Sequence, residues 1–162
     1  MKSLGLLERL PTESVDSRKV RMFYYLQNHF SFMDALCLCV LCFAPVRAFT
    51  MADMVGLVSA VTGWETSLWE VMKLGERRIN MFRAFNVREG LRAADDWLPD
   101  RMFEAIRTGP RAGHKVSADD FAKALSLYYQ MMNWDEEGIP REAKLVELEL
   151  GWVNALMRGQ AA

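Results

Sequence analysis

An all-α fold is predicted by three observations. Apolar residues recur at three- and four-residue spacing along most of the chain. Hydroxyl or acidic residues precede several of these stripes, at the positions helix caps favour. No segment alternates apolar and polar residues over a useful strand length. With 162 residues, 51% of them hydrophobic, the chain can bury a real core. The expectation is a single irregular multi-helix domain spanning 1–162.

The elements follow in order. Residues 16–30 place Val20, Phe23, Tyr24, Gln27 and Phe30 on one helical face. An apolar run follows Asp34. Thr50-Met-Ala-Asp53 has the form of a helix entry, with Met54, Val55, Val58 and Val61 after it and Gly63 closing the helix. Thr62-Gly-Trp-Glu65 has the form of a second capping box. Trp64, Leu68, Val71, Met72, Gly75, Ile79 and Phe82 then form a stripe, with Glu70, Lys73 and Arg77 opposite. Gly90 and Pro99 break the pattern, and residues 108–115 read as a loop. Ser117-Ala-Asp-Asp120 starts another helix, burying Phe121, Leu125, Tyr128 and Met132. Gly138 and Pro140 mark a turn, and residues 141–150 read as a short final helix.

The formal net charge is -1, which predicts neither a nucleic-acid binder nor a membrane-surface protein. The apolar run of residues 35–44 is too short to span a bilayer and is bounded by Asp34 and Pro45. Glu8 interrupts the stretch where a signal peptide needs continuous apolar residues. The expected compartment is the cytoplasm.

Asp34-Ala-Leu-Cys-Leu-Cys-Val-Leu-Cys-Phe43 holds all 3 cysteines behind a single acid. Clustered thiols in an otherwise cysteine-free chain suit soft-metal ligation better than a disulfide scaffold. Buried small hydrophobes are the alternative reading. On a helix Cys39 and Cys42 lie about 60° apart, and Cys37 lies roughly 140–160° from both. No regular element brings all three to one point, so a cubane cluster would need thiolates from elsewhere. His29 and His114 are isolated and form no ligand pair. Residues 86–90 and 95–101 concentrate charge near helix ends, either as caps and ion pairs or as a polar wall against a cofactor or another domain. No dinucleotide, Walker or nucleophile-elbow motif is present.

Over about residues 16–150 the chain resembles the C-terminal helical part of the aldehyde ferredoxin oxidoreductases. The resemblance is carried by Tyr24-x-x-Gln27-Asn28, Asp34-Ala-Leu-Cys-Leu-Cys39, Thr62-Gly-Trp-Glu65 and Gly75-Glu-Arg-Arg-Ile-Asn80. It continues through Phe85-Asn-Val-Arg-Glu-Gly90, Asp96-Trp-Leu-Pro-Asp-Arg101, Tyr128-Tyr129 and Asn133-Trp-Asp-Glu-Glu-Gly-Ile-Pro140. It implies an enzyme that oxidises aldehydes to carboxylic acids at a tungsten (or molybdenum) bis-pterin centre beside a 4Fe–4S cluster, with ferredoxin as electron acceptor. By position, the resemblance makes Asp34 and Leu38 pterin contacts and Cys39 a cluster ligand. Cys37 stands where the family motif has glycine. Cys42 matches no family role and is expected to be buried. The family's N-terminal pterin-binding domain and its other three cluster cysteines are absent from this sequence, so that domain or subunit is the implied partner. The chain alone is expected to be inactive and to hold no stable cofactor. A non-catalytic helical interaction module that kept the fold and lost the cofactors is the alternative.

Overall fold

The computed structural model describes residues 2–7, 9–43 and 48–157. Glu8 and Pro45, used above to read the termini of apolar stretches, lie outside the described residues. Among the described residues there are helices and turns but no named strand, only an isolated bridge between Trp134 and Pro140. No helix among them is long and apolar enough to cross a membrane.

Helix α1 (Ser17–Ala35) begins at Asp16, whose carboxylate accepts the backbone N–H of Arg18 and Lys19. It runs past the expected end at Phe30. Its buried residues pass from Val20 to Asn28, His29, Ser31, Phe32 and Met33, because it meets one neighbour early and others late. Of the face shared by Val20 and Phe23, Val20 is buried and Phe23 is exposed. A short α2 (Val40–Phe43) follows. Helix α3 (Met51–Thr62) has the expected capping box between Thr50 and Asp53, and Gly63 closes it with φ 74°.

Helix α4 (Leu68–Arg88) starts later than the sequence suggested. Thr62 is the last residue of α3, and its hydroxyl accepts from the Trp64 N–H. The capping box is instead Ser67 with Glu70. Within α4 the expected stripe is met at Val71 and Gly75, which are buried, but Phe82 is exposed, and the buried face also takes in Glu76, Asn80 and Arg83.

The 3-10 turns Ala93–Asp96 and Asp100–Met102 carry the chain to α5 (Ala118–Met132), capped by Ser117. The helix expected over residues 141–150 is α6 (Glu142–Glu147), and it is not the last: α7 (Gly151–Met157) follows it. Glu149 between them takes φ 59°, which ends the first.

Three apolar clusters hold these elements. Val20 of α1 packs with Tyr128, Tyr129 and Met132 of α5 and with Trp134. Phe32 and Met33 pack with Met51, Met54 and Val71. Ala84 of α4 packs with Leu145, Leu148, Leu150 and Val153.

Between these clusters α1 and α4 cross closely at Gly75. A Cβ there would overlap the Asn28 carbonyl oxygen and lie 2.9 Å from the Asn28 carbonyl carbon and 3.1 Å from the Phe32 nitrogen. The Ser31 hydroxyl donates to the Gly75 carbonyl at 2.9 Å, across the crossing.

Candidate functional site

The last turn of α1 sets up the cysteine segment. The Leu36 N–H donates to the Phe32 carbonyl, and the Cys37 N–H to that of Asp34. Cys37 then turns the chain in the left-handed region at φ 55°, and the Leu38 N–H closes back on the Met33 carbonyl at 2.9 Å. This is the Schellman pattern of helix exit, in which the left-handed residue favours glycine. Leu38 is half-buried against the Phe32 and Met33 cluster, which anchors the turn. Cys39 starts the next helix, its carbonyl accepting the N–H of Cys42 and of Phe43, both at 3.0 Å.

The energetic consequence is specific. A non-glycine residue in the left-handed region is strained by roughly 1–2 kcal/mol. Cys37→Gly is therefore expected to raise stability by about 0.5–1 kcal/mol, after the added freedom of the unfolded glycine is subtracted. Urea unfolding of the two chains checks this; an unchanged or lowered midpoint would contradict it.

The side chains fall as follows. Asp34 is exposed and lies 3.5 Å from Arg78, which also approaches the Ser31 hydroxyl at 3.4 Å and lies over the Phe82 ring. An exposed pair of this length contributes little to stability, so the Asp34 carboxylate keeps acceptor capacity for another group. Cys37, Cys39 and Cys42 are all exposed, so the expected burial of Cys42 is not what the fold gives. The reason is local: the four-residue α2 turns Cys42 outward while Phe43 packs inward. The backbone N–H groups of Leu41 and Cys42 point at the Cys39 sulfur and hold its thiol below the usual range. The charge on Cys39 pushes the Cys42 thiol up. Among the described residues no three or more His, Cys, Asp or Glu side chains come together as a metal site.

Asp34 and Arg78 also stand on the edge of a groove of about 790 Å³ between α1, α4 and α5. Phe23, Ile79, Phe82 and Leu125 supply its apolar wall, and Gln27, Asn86 and Asp96 its polar points.

Arg83, Asp96, Tyr129 and Trp134 also line this groove, and with Glu76 and Asn80 they form a polar layer that the sequence reading missed. Glu76, 2% exposed, accepts from Tyr24 at 2.9 Å, Lys144 at 2.8 Å and Lys73 at 2.6 Å. Burial pulls its carboxyl upward, but the two ammonium groups outweigh that and hold it below the ordinary range. Burial and the Glu76 charge push the Tyr24 hydroxyl up. Arg83 donates to the Gly138 carbonyl at 2.6 Å and, through Nη1, to Asp96 at 2.9 Å, and its Nη2 lies 2.7 Å from the same carboxylate as an ion pair. The Tyr129 hydroxyl bonds the same carboxylate. The Trp134 indole N–H donates to Asn80 at 2.8 Å. Asp96 and Asp95, which accepts the Arg92 N–H at 2.8 Å, thus act at helix junctions. His29 is buried, and burial lowers its pKa. The one available signal for this layer was polar residues at helical spacing, at positions 76, 80 and 83.

Comparison with known proteins gives these geometries a setting. Residues 3–150 match the family model for aldehyde ferredoxin oxidoreductase, domains 2 and 3. A tungsten-containing aldehyde ferredoxin oxidoreductase of Pyrococcus abyssi is 33% identical over 149 residues, 91% of this chain and 24% of that protein. The Pyrococcus furiosus protein of the same description is 34% identical over 148 residues, 90% of this chain and 23% of its own length. The chain thus spans about a quarter of these relatives. In fold, it is similar to a solved active-site complex, BamBC, of benzoyl coenzyme A reductase with 1,5-dienoyl-CoA. There the TM-score is 0.73 at 23% identity, covering 94% of this chain and 22% of that one. The extent and identity of the match show that this chain belongs to the aldehyde ferredoxin oxidoreductase family.

Proposed function

We propose that residues 1–162 act as one helical domain flanking the cofactors of a tungsten-pterin oxidoreductase that converts aldehydes to carboxylic acids. The observation that carries this reading is the exposed Cys39, its sulfur supported by backbone N–H groups, at the family position of a cluster cysteine. The residues present fit a contributing role. One stabilised thiolate suits one corner of a 4Fe–4S cluster, and the missing ligands belong to a pterin-binding domain or subunit. When bound, the tungsten–pterin centre and the cluster supply two-electron aldehyde oxidation and single-electron transfer to ferredoxin.

This chain's share is to bind and orient. Asp34 accepts hydrogen bonds from pterin N–H groups, with Arg78 limiting its swing. Leu38, tied into the apolar cluster, sets the backbone of the motif at a fixed distance from the end of α1. Cys39 ligates the cluster. Trp64, Trp69, Phe82, Phe85 and Trp97 are exposed, and aromatic residues are enriched where another chain or domain packs.

The test is iron content in the complex assembled with the pterin-binding partner. Cys39→Ser is expected to lose or destabilise the cluster, because a hydroxyl replaces a thiolate poorly. Cys42→Ser is expected to retain it. The opposite pattern would shift the register of the motif and remove the roles given to Asp34 and Leu38. Full iron and tungsten in neither the parent complex nor the variants would favour the non-catalytic module.

A further inference from the structure

Cys39 and Cys42 enclose a Cys-Val-Leu-Cys segment, and their relation is closer than shared sequence. Both are exposed. The N–H of Cys42 donates to the carbonyl of Cys39 at 3.0 Å, so a single turn joins the two residues, with Cys39 just ahead of α2. Positions three apart on such a turn have Cβ atoms roughly 5–6 Å apart, and a disulfide brings them to about 3.5–4.5 Å. The α2 helix is only four residues long and can take up that adjustment. Cys37 is set apart from this pair by the left-handed turn and by Leu38, which packs inward.

We propose that Cys39 and Cys42 form a reversible dithiol–disulfide pair, exchanging with low-molecular-weight disulfides. The exchange balances without any metal. The Cys39 thiolate attacks one sulfur of the small disulfide, forming a mixed disulfide and releasing one small thiol. The Cys42 sulfur then attacks Cys39 Sγ, forming the intrachain bond and expelling the second small thiol. The two cysteine thiols are oxidised by two electrons, the small disulfide is reduced, and the two protons leave on the released thiols. The pair is independent of the cofactor reading. If that reading holds, the oxidised pair also withholds Cys39 from ligation, so the bond marks a chain not yet assembled.

The test uses the full chain, reduced anaerobically, freed of reductant and equilibrated with oxidised glutathione. Thiols are then alkylated under denaturing conditions and mapped by mass spectrometry. The expected result is joint loss of labelling at Cys39 and Cys42, retained labelling at Cys37, and an intact chain two hydrogens lighter. Dithiothreitol is expected to restore all labelling. Cys42→Ser is expected to stop at a stable glutathione adduct on Cys39. Full labelling of all three thiols, a bond to Cys37, or only intermolecular disulfides would overturn the proposal. Because no iron or tungsten enters this experiment, its failure is separate from failure of the cluster assignment.

Discussion

Replacing Gly75 by alanine is expected to destabilise the chain by about 3 kcal/mol, the upper end of what inserting a single methyl group costs in a packed interior. The new Cβ meets backbone, not a flexible side chain: the carbonyl of Asn28 and the nitrogen of Phe32. Backbone atoms within α1 cannot rotate aside, so the two helices must separate. That separation also breaks the Ser31 hydrogen bond to the Gly75 carbonyl. The polar partners Tyr24 and Glu76 lie on the same two helices and would part with them. Urea unfolding gives the loss directly. A parallel Gly56→Ala variant is the control, because a Cβ at Gly56 meets nothing within 4 Å. In that helix interior alanine is expected to be neutral or better. Equal effects at both positions would show that the crossing is looser than described.

The second large effect is expected at Glu76. Glu76→Gln keeps the shape of the side chain but removes its charge, leaving Lys73 and Lys144 to share Glu147. Breaking a buried ion pair from one side costs roughly 3–5 kcal/mol, and the remaining Glu147 contacts place this case near the lower end. The same group sets a pH dependence. Its folded pKa is depressed below the ordinary carboxyl range by the two lysine ammonium groups, against the upward pull of burial. The unfolded chain therefore binds the proton more readily. The stabilisation is complete above the unfolded value and is lost as pH falls through the folded one. Unfolding midpoints measured from neutral pH downward should fall more steeply for the parent chain than for Glu76→Gln below about pH 4.5. Parallel curves would remove Glu76 from the account of acid sensitivity.

The helical class, the caps at Thr50 and Ser117 and the stop at Gly63 were legible in the sequence, because each depends on a few neighbouring residues. The polar part of the buried face of α4 was not. A stripe read by apolarity finds Val71 and Gly75 but also selects Phe82, whereas the helix buries Glu76, Asn80 and Arg83 as well. Those side chains are buried only because Lys144, Trp134, Asp96 and Gly138 arrive from far along the chain to satisfy them. No local pattern announces such partners. The roles given to Asp34, Leu38 and Cys39 rest on the resemblance and stand as proposals. The left-handed turn at Cys37 fits the glycine expected there, but the outward setting of Cys42 depends on how a four-residue helix sits against Phe43, which spacing alone does not specify.

Helix α4 turns its hydrogen-bonding groups inward and its aromatic rings outward. An apolar stripe tolerates small rotations, since one methyl group substitutes for another. The inward polar set of α4 does not: Glu76 has to meet Tyr24, Lys73 and Lys144, Asn80 has to meet Trp134, and Arg83 has to meet Gly138 and Asp96. The helix is therefore indexed like a keyed shaft, and Phe82 and Phe85 keep a fixed bearing relative to the end of α1. The two faces can also change under separate pressures. Substitutions among the outward rings can refit the chain to a different neighbouring surface without disturbing its key, whereas a single inward change unseats the whole helix.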